Sequence, residues 1–519
     1  MEEVYLLKRK KKGAFRILFS RTSIILLLLL LAIAFFTIAL TFFAGIISKI
    51  LGGVGLFNVI VIIALMSSDM DSSAKLTWIL IVSATSVFGT LFYLYTRLDI
   101  GGRAVKAGCH HIITKHKNDL LQDEDVYEKL KLDSDETADL CHYLNRSGTF
   151  PVTENNHITY YPSGEAKWVD MIDELKKAEH FIFMEYFILE EGKMWGTILG
   201  ILKEKAAQGV DVRVMYDGTC AITLLPYDYP KMLQQLGIKC KMFSPVHPFV
   251  STHYNYRDHR KILVVDGKVG FTGGINIADE YINKIQKYGY WKDTAIRIRG
   301  NAVKNLTLMF LNMWSLGEKE TEYEKYLNIQ APVYQNERGY AIPYGDNPYD
   351  DDKVGEKIYM NILNRANKYV HIMTPYLILD DSFLNTLKFA AERGIEVKII
   401  LPGISDKEAV HSLAKTYFKT LLDSNVEIYI YEPGFVHAKV FVSDDIKAVV
   451  GTINMDYRSL YHHFECATYM YDTACISDIE KDFQETLNVC KKVSYEDIKK
   501  EKLFTRLTGQ VMRLVAPLL

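Results

Sequence analysis

One pattern occurs twice in this chain, in register. The first copy reads His259-Arg260-Lys261, four residues, Asp266, then Gly273-Gly274-Ile275-Asn276. The second reads His437-Ala438-Lys439, four residues, Asp444, then Gly451-Thr452-Ile453-Asn454. Each His, Lys, Asp and Asn lies 178 positions from its counterpart. An isolated His-x-Lys carries no information. Four matched positions repeated at one spacing imply a duplicated half-site, and its two copies suggest one active site formed where they meet.

The surroundings repeat as well. Ala166–Ala178 reads as an amphipathic helix, Phe181–Ile188 as a buried strand, Trp195–Gln208 as a helix stopped by Gly209, and Val210–Tyr216 as a strand. The same order returns as helix Lys357–Lys368, strand Tyr369–Met373, helix Leu384–Arg393 stopped by Gly394, and strand Ile395–Leu401. Strands alternating with helices predict layered α/β units. Two pseudo-twofold α/β domains, each a mixed sheet flanked by helices, are therefore expected at 152–330 and 356–519, with a polar linker at 331–355.

Within the motif, His259 and Lys261 are two apart and would share one face of a strand. Asp266-Gly267 is a hairpin signal. The paired glycines then bend the returning strand to bring Asn276 back toward the histidine. Asp266 and Asp444 complete the motifs but fall at the far strand ends, which gives them mainly structural work.

The N-terminal part has a different character. Residues 1–22 form a basic tail; its first 21 residues carry net +5 and leave −7 on the rest. Residues 23–98 hold three apolar runs, Ile24 to Ile46, Leu51 to Met66 and Leu76 to Tyr95, read as two to three transmembrane helices. The first is too long for a signal peptide and lacks a cleavage site. The Lys8–Lys12 cluster favours the cytoplasmic side, as do Arg97, Arg103 and Lys106, so only an even number of spans satisfies both ends. Residues 99–151 read as a connecting segment. Val511–Leu519 suits a foot on the bilayer or a packed end equally. The expected location is a membrane, multi-pass. Seven scattered cysteines without a CxxC pair argue against a disulfide framework and against zinc. Cys109-His110-His111 with His116 fits no standard metal spacing, and His462-His463 reads as incidental. No cofactor and no metal are expected. With net charge −2 and no strong basic groove, no nucleic-acid partner is expected either.

Two histidines, two lysines and two asparagines at one point suit a phosphodiester. A neutral imidazole attacks phosphorus and holds it covalently. The other, protonated, serves the leaving alkoxide and then the incoming alcohol. Lys261, Lys439, Asn276 and Asn454 would hold the non-bridging oxygens; the asparagines also suit a turn alone. Each histidine needs a carboxylate on its other nitrogen. Asp293 and Glu465, which lie 34 and 28 residues past the histidine of their own copy, are the candidates, against a plain surface role. Tyr376, Arg458 and Glu185 suit either a headgroup pocket or core and surface positions.

The pieces Tyr256–Lys261, Gly273–Asn276 with Glu280-Tyr281, Gly289–Asp293, Thr374–Tyr376, Gly434–Lys439 and Gly451–Ser459 resemble the phospholipase D superfamily, with its two His-x-Lys-x4-Asp motifs. The wider context is similar to the bacterial cardiolipin synthases, over about 57–98 and 155–519. The resemblance implies a membrane phosphatidyltransferase with two phospholipase D-like α/β domains. It implies phosphatidylglycerol and other anionic phospholipids as partners, cardiolipin and glycerol as products, and His259 as nucleophile with His437 as acid. Alternatives are a hydrolase, a transferase using another alcohol, or a silent membrane scaffold. Homo-oligomer formation is left open. Residues 1–50 and Ser83–Val87 depart from the family's usual front.

Overall fold

The computed structural model describes residues 3–7, 54–85, 87–98, 100–245, 255–350 and 352–518, with scattered positions between 30 and 42. Its body is built on two sheets of matching order. The first runs His157–Tyr161, Ala295–Arg299, Val269–Gly273, Lys261–Val265, Phe181–Tyr186, Asp211–Asp217, Lys239–Phe243. The second repeats that order as Tyr340–Asp346, His463–Tyr471, Lys447–Gly451, Val440–Ser443, Tyr369–Met373, Glu396–Pro402, Glu427–Tyr431, and carries a further strand at each end. In each, three parallel strands continue into an antiparallel hairpin formed by the motif. The expected helices appear within a few residues, at Gly164–Lys177, Lys193–Ala207, Val354–Arg365 and Asp381–Glu392.

The hairpin turns follow from the sequence. Asp266 and Gly267 have φ of 52° and 63°, and Asp444 and Asp445 have 57° and 58°. Asp and Gly tolerate this left-handed region best, and such turns match strand twist. Each turn aspartate then clamps the start of the neighbouring strand. Asp266 accepts the backbone N–H groups of Glu179, His180 and Phe181 at 2.7–2.8 Å. Asp444 accepts those of Asn367, Lys368 and Tyr369 at 2.8–3.0 Å.

Three sequence expectations change. The strand through His-x-Lys is broken. Arg257–Asp258 pairs with the second sheet at His463-Phe464, whereas Lys261 onward pairs within the first. Gly434–Val436 pairs with Tyr290–Lys292 of the first half, whereas Val440 onward belongs to the second. The chain therefore crosses between lobes at each histidine. Second, the segment 331–355 is not only linker: Tyr340–Asp346 is a strand buried on both faces, because Tyr340, Ala341, Ile342 and Tyr344 complete the core that the two sheets share. Third, residues 99–151 do more than connect. Helices Ile100–Lys115, Glu124–Asp133 and Asp135–Gly148 put Cys109, Leu130, Cys141 and Leu144 into the same core as the second sheet.

No helix among the described residues is long and apolar enough to cross a membrane. Val54–Met66, Ser72–Thr85 and Val87–Leu98 have 13, 14 and 12 residues. At 1.5 Å per residue each falls short of a hydrocarbon core of about 30 Å. Most of Ile24 to Ile46 lies outside the described residues. Leu56, Ile60, Ile63 and Leu76 are exposed on these helices, as are Leu503, Phe504, Leu507 and Val511 on the C-terminal helix Leu503–Val515. The two regions touch: Thr77 Oγ1 donates to the Leu514 carbonyl at 2.6 Å, and Leu518 packs beside the cluster of Val61, Leu65 and Trp78. All seven cysteines are free.

Candidate active site

The crossing strands fix the two histidines. His259 N–H donates to the Phe464 carbonyl at 2.9 Å, and His437 N–H to the Lys292 carbonyl at 2.7 Å. Each backbone is thus anchored by the opposite lobe, and so is each ring. His259 Nδ1 meets Glu465 Oε1 at 2.8 Å, and His437 Nδ1 meets Asp293 Oδ2 at 2.7 Å. Both carboxylates are completely buried. They are the acids picked from sequence, with the pairing exchanged: each serves the histidine of the other copy. The reason is the chain crossing, which places each histidine one residue beyond a strand paired to the foreign lobe.

An ionised carboxylate only accepts, so in both pairs the Nδ1 carries the proton and the Nε2 lone pair is left for chemistry. Burial pushes the His259 pKa well below its ordinary value. Burial, with the nearby Lys439 charge, lowers His437 to about 4. Burial also lowers Lys261 to about 8 and Lys439 to about 7. Each ammonium donates to the carbonyl of its own motif histidine. The charges of Lys261 and Lys439 oppose one another, while Asp293 and Glu465 act on both. This clustering joins the two half-sites into one buried centre. An arriving phosphate anion would relieve the cost of holding its cations.

The two halves are not identical. A Cβ at Gly274 would collide with Asp293 Oδ1. The matching position in the second copy is Thr452, whose hydroxyl donates to Glu465 Oε2. Asn276 is tied at both ends: Oδ1 accepts from Ile188 N–H at 3.0 Å, and Nδ2 donates to Tyr281 Oη at 2.7 Å. Asn454 Oδ1 is buried and has no partner among the described residues. The walls are aromatic. Phe187 lies 4.9 Å from the His259 ring and 5.4 Å from Lys261 Nζ, and Trp291 and Tyr281 lie 5.3 and 5.5 Å from the His437 ring.

Other sequence candidates separate. Glu185 is buried in an ion pair with Arg260 at 2.7 Å. Tyr376 donates to Asp406 at 2.7 Å, and Arg458 is exposed. Of two further residues near the centre, Lys167 was missed and His463 was read as incidental. Lys167 is fully buried, donates to the Ile275 carbonyl at 3.3 Å, and is lowered to about 7 by burial. Its signal was a lysine on the apolar face of an amphipathic helix. His463 lies 5.3 Å from the His259 ring. Its signal was its place two residues before Glu465 on one strand.

Known proteins share this chain's sequence and fold. The family model for the "Cardiolipin synthase, PLD-like domain" matches residues 171–314 and 359–487, more than half of the chain. A cardiolipin synthase of Alkalihalophilus pseudofirmus is 32% identical over 88% of this chain and 91% of its own length. The chain belongs to the phospholipase D-like cardiolipin synthase family. It is similar to a cardiolipin synthase of Geobacillus thermodenitrificans, 37% identical over 73% of this chain and 76% of that one. It is also 54% identical to an uncharacterized protein of Streptococcus mutans, over 88% of this chain and 99% of that one. In fold it resembles a phosphatidylserine synthase of Haemophilus influenzae, with a TM-score of 0.57 at 14% identity, covering 74% of this chain and all of that one. Membership makes this cardiolipin synthase-family protein an enzyme of the phosphatidyltransferase kind.

Proposed function

We propose that this enzyme is a membrane cardiolipin synthase working through a phospho-histidine. The observation that carries the reading is the exchanged pair of imidazole–carboxylate couples, His259 with Glu465 and His437 with Asp293. His259 Nε2 attacks the phosphorus of one phosphatidylglycerol, and the bond from phosphorus to the glycerol oxygen breaks. His437, which takes up a proton at Nε2 as the phosphate anion enters beside it, gives that proton to the glycerol oxygen, and glycerol leaves. The terminal hydroxyl of a second phosphatidylglycerol then attacks. His437 takes its proton, the phosphorus–nitrogen bond breaks with its electron pair returning to His259, and cardiolipin forms. Lys261 and Lys439 carry the positive charge that the phosphoryl oxygens meet. Asp266 and Asp444 act through the backbone they clamp.

The apolar run Ile24 to Ile46 and the joined apolar faces of the N- and C-terminal helices support a site held at the cell membrane, where its anionic lipid substrates are. The test is lipid extraction from cells lacking cardiolipin after expression of this chain. Cardiolipin is expected, and His437→Ala should abolish it. Phosphatidic acid accumulating in its place, with no cardiolipin, would mean that water is the acceptor and would overturn the synthase reading.

A further inference from the structure

We propose that His259, His463 and Glu465 form a binding site for a divalent transition-metal ion of the zinc class. One ligand atom from each lies within 4.8 Å of the others, and all three side chains are buried. Residues 463 and 465 alternate along the strand His463–Tyr471 and present one face. The pairing of that strand with Arg257–Asp258 delivers the His259 ring to them. The independent sign is His463 itself. It is 93% buried, yet neither ring nitrogen has a hydrogen-bond partner among the described residues. Its Nδ1 stands 3.6 Å from Glu465 Oε1, beyond hydrogen-bond reach. A buried imidazole with no hydrogen bond, and only an ion-pair contact to Glu465, is costly, and a metal bond would satisfy it. Two imidazoles and one carboxylate, with an open fourth position, are a zinc-type donor set. For the ion to bind Nδ1 of the neutral His259 ring, the proton there moves to Nε2 and occupies the lone pair that attack needs, so occupancy opposes the nucleophile role proposed above.

The site shares two residues with the proposed reaction, so its test is read without turnover. Full-length protein in detergent is titrated with Co²⁺ and followed by visible ligand-field absorption. A saturable band that Zn²⁺ displaces is expected, with affinity at least about tenfold weaker in His463→Asn. His463→Gln serves if the asparagine variant does not accumulate. A wild type without the band, or a variant that binds as tightly, overturns the proposal.

A separate observation bears on sidedness. Residues 4–7 dock onto the first lobe. Val4 N–H donates to the Gly196 carbonyl at 3.0 Å, and Leu6 and Leu7 N–H groups donate to the two oxygens of Glu191 at 3.0 Å each. The Tyr5 ring sits where a side chain at Gly196 would lie, and Val4, Leu6 and Leu7 pack on the core. Tyr229 Oη also donates to Glu191, which fixes the clamp to the lobe. A segment held this way lies on the same side of the membrane as the catalytic body. We infer that the chain crosses an even number of times between Leu7 and Ile100, and that the basic run Lys8–Lys12 places both ends and the active site in the cytoplasm. This rests on the membrane reading given above. Single cysteines at Glu3→Cys and Lys203→Cys, in a cysteine-free chain, are exposed to an impermeant maleimide. Labelling of both only after permeabilisation is expected; labelling of either in intact cells overturns the inference. Release of the protein by alkaline carbonate would instead refute the membrane reading.

Discussion

At the scale of single residues, the two acids do different jobs through similar geometry. Glu465 holds the proposed nucleophile and Asp293 the proposed acid. Glu465→Gln and Asp293→Asn should each lower kcat by about 10²–10⁴-fold, because each removes the charge that fixes the imidazole tautomer. A phosphatidyl ester with an activated phenol leaving group needs no acid. It should restore phosphoenzyme formation in Asp293→Asn and not in Glu465→Gln; quench-trapping of the labelled intermediate reads this, and the reverse pattern would exchange the two roles. Lys439 bears on stability. Its folded pKa of about 7 lies below the ordinary 10.5, so between those values the unfolded chain binds more protons and stability rises with pH. Lys439→Met should be inactive yet more stable than wild type at neutral pH by about 1–2 kcal/mol. That advantage should shrink as pH climbs through this window, as followed by thermal unfolding.

At the scale of elements, the hairpin with its turn aspartate is the repeated unit. Asp444→Ala removes three charge-assisted bonds to Asn367, Lys368 and Tyr369 and should cost about 2–4 kcal/mol in denaturant unfolding. His437→Ala should abolish turnover with far less effect on the unfolding midpoint. This level was the most legible from sequence. Alternating apolar residues, Asp-Gly at the turn and Gly after each helix mark strands, hairpins and stops by local rules. The break at His-x-Lys was not legible. Both fragments read as strand, and only packing against the other lobe decides where each pairs. The same limit hid the exchange of Asp293 and Glu465, since separation along a chain says nothing about which lobe a side chain reaches. Lys167 was missed and His463 was set aside as incidental, because a lone lysine or a histidine outside the motif gains meaning only from its neighbours in space.

At the scale of the whole molecule, the lobes are interlocked. Thr153–Glu154 precedes the first sheet yet pairs in the second, Arg257–Asp258 lies between two strands of the first sheet yet also pairs with the second, and Gly434–Val436 pairs with the first lobe. Calorimetry should therefore find one cooperative transition for the body; two well-separated transitions would show that the lobes melt independently.

The Gly274–Thr452 difference has a consequence for how such a centre can change. An assembly of two identical subunits must place the same residue at both positions, so any substitution that tunes one histidine is imposed on the other. Joining the copies in one polypeptide lifts that constraint. A bulky hydroxyl can brace one carboxylate while bare backbone makes room for the other, and attack and proton transfer become separately adjustable.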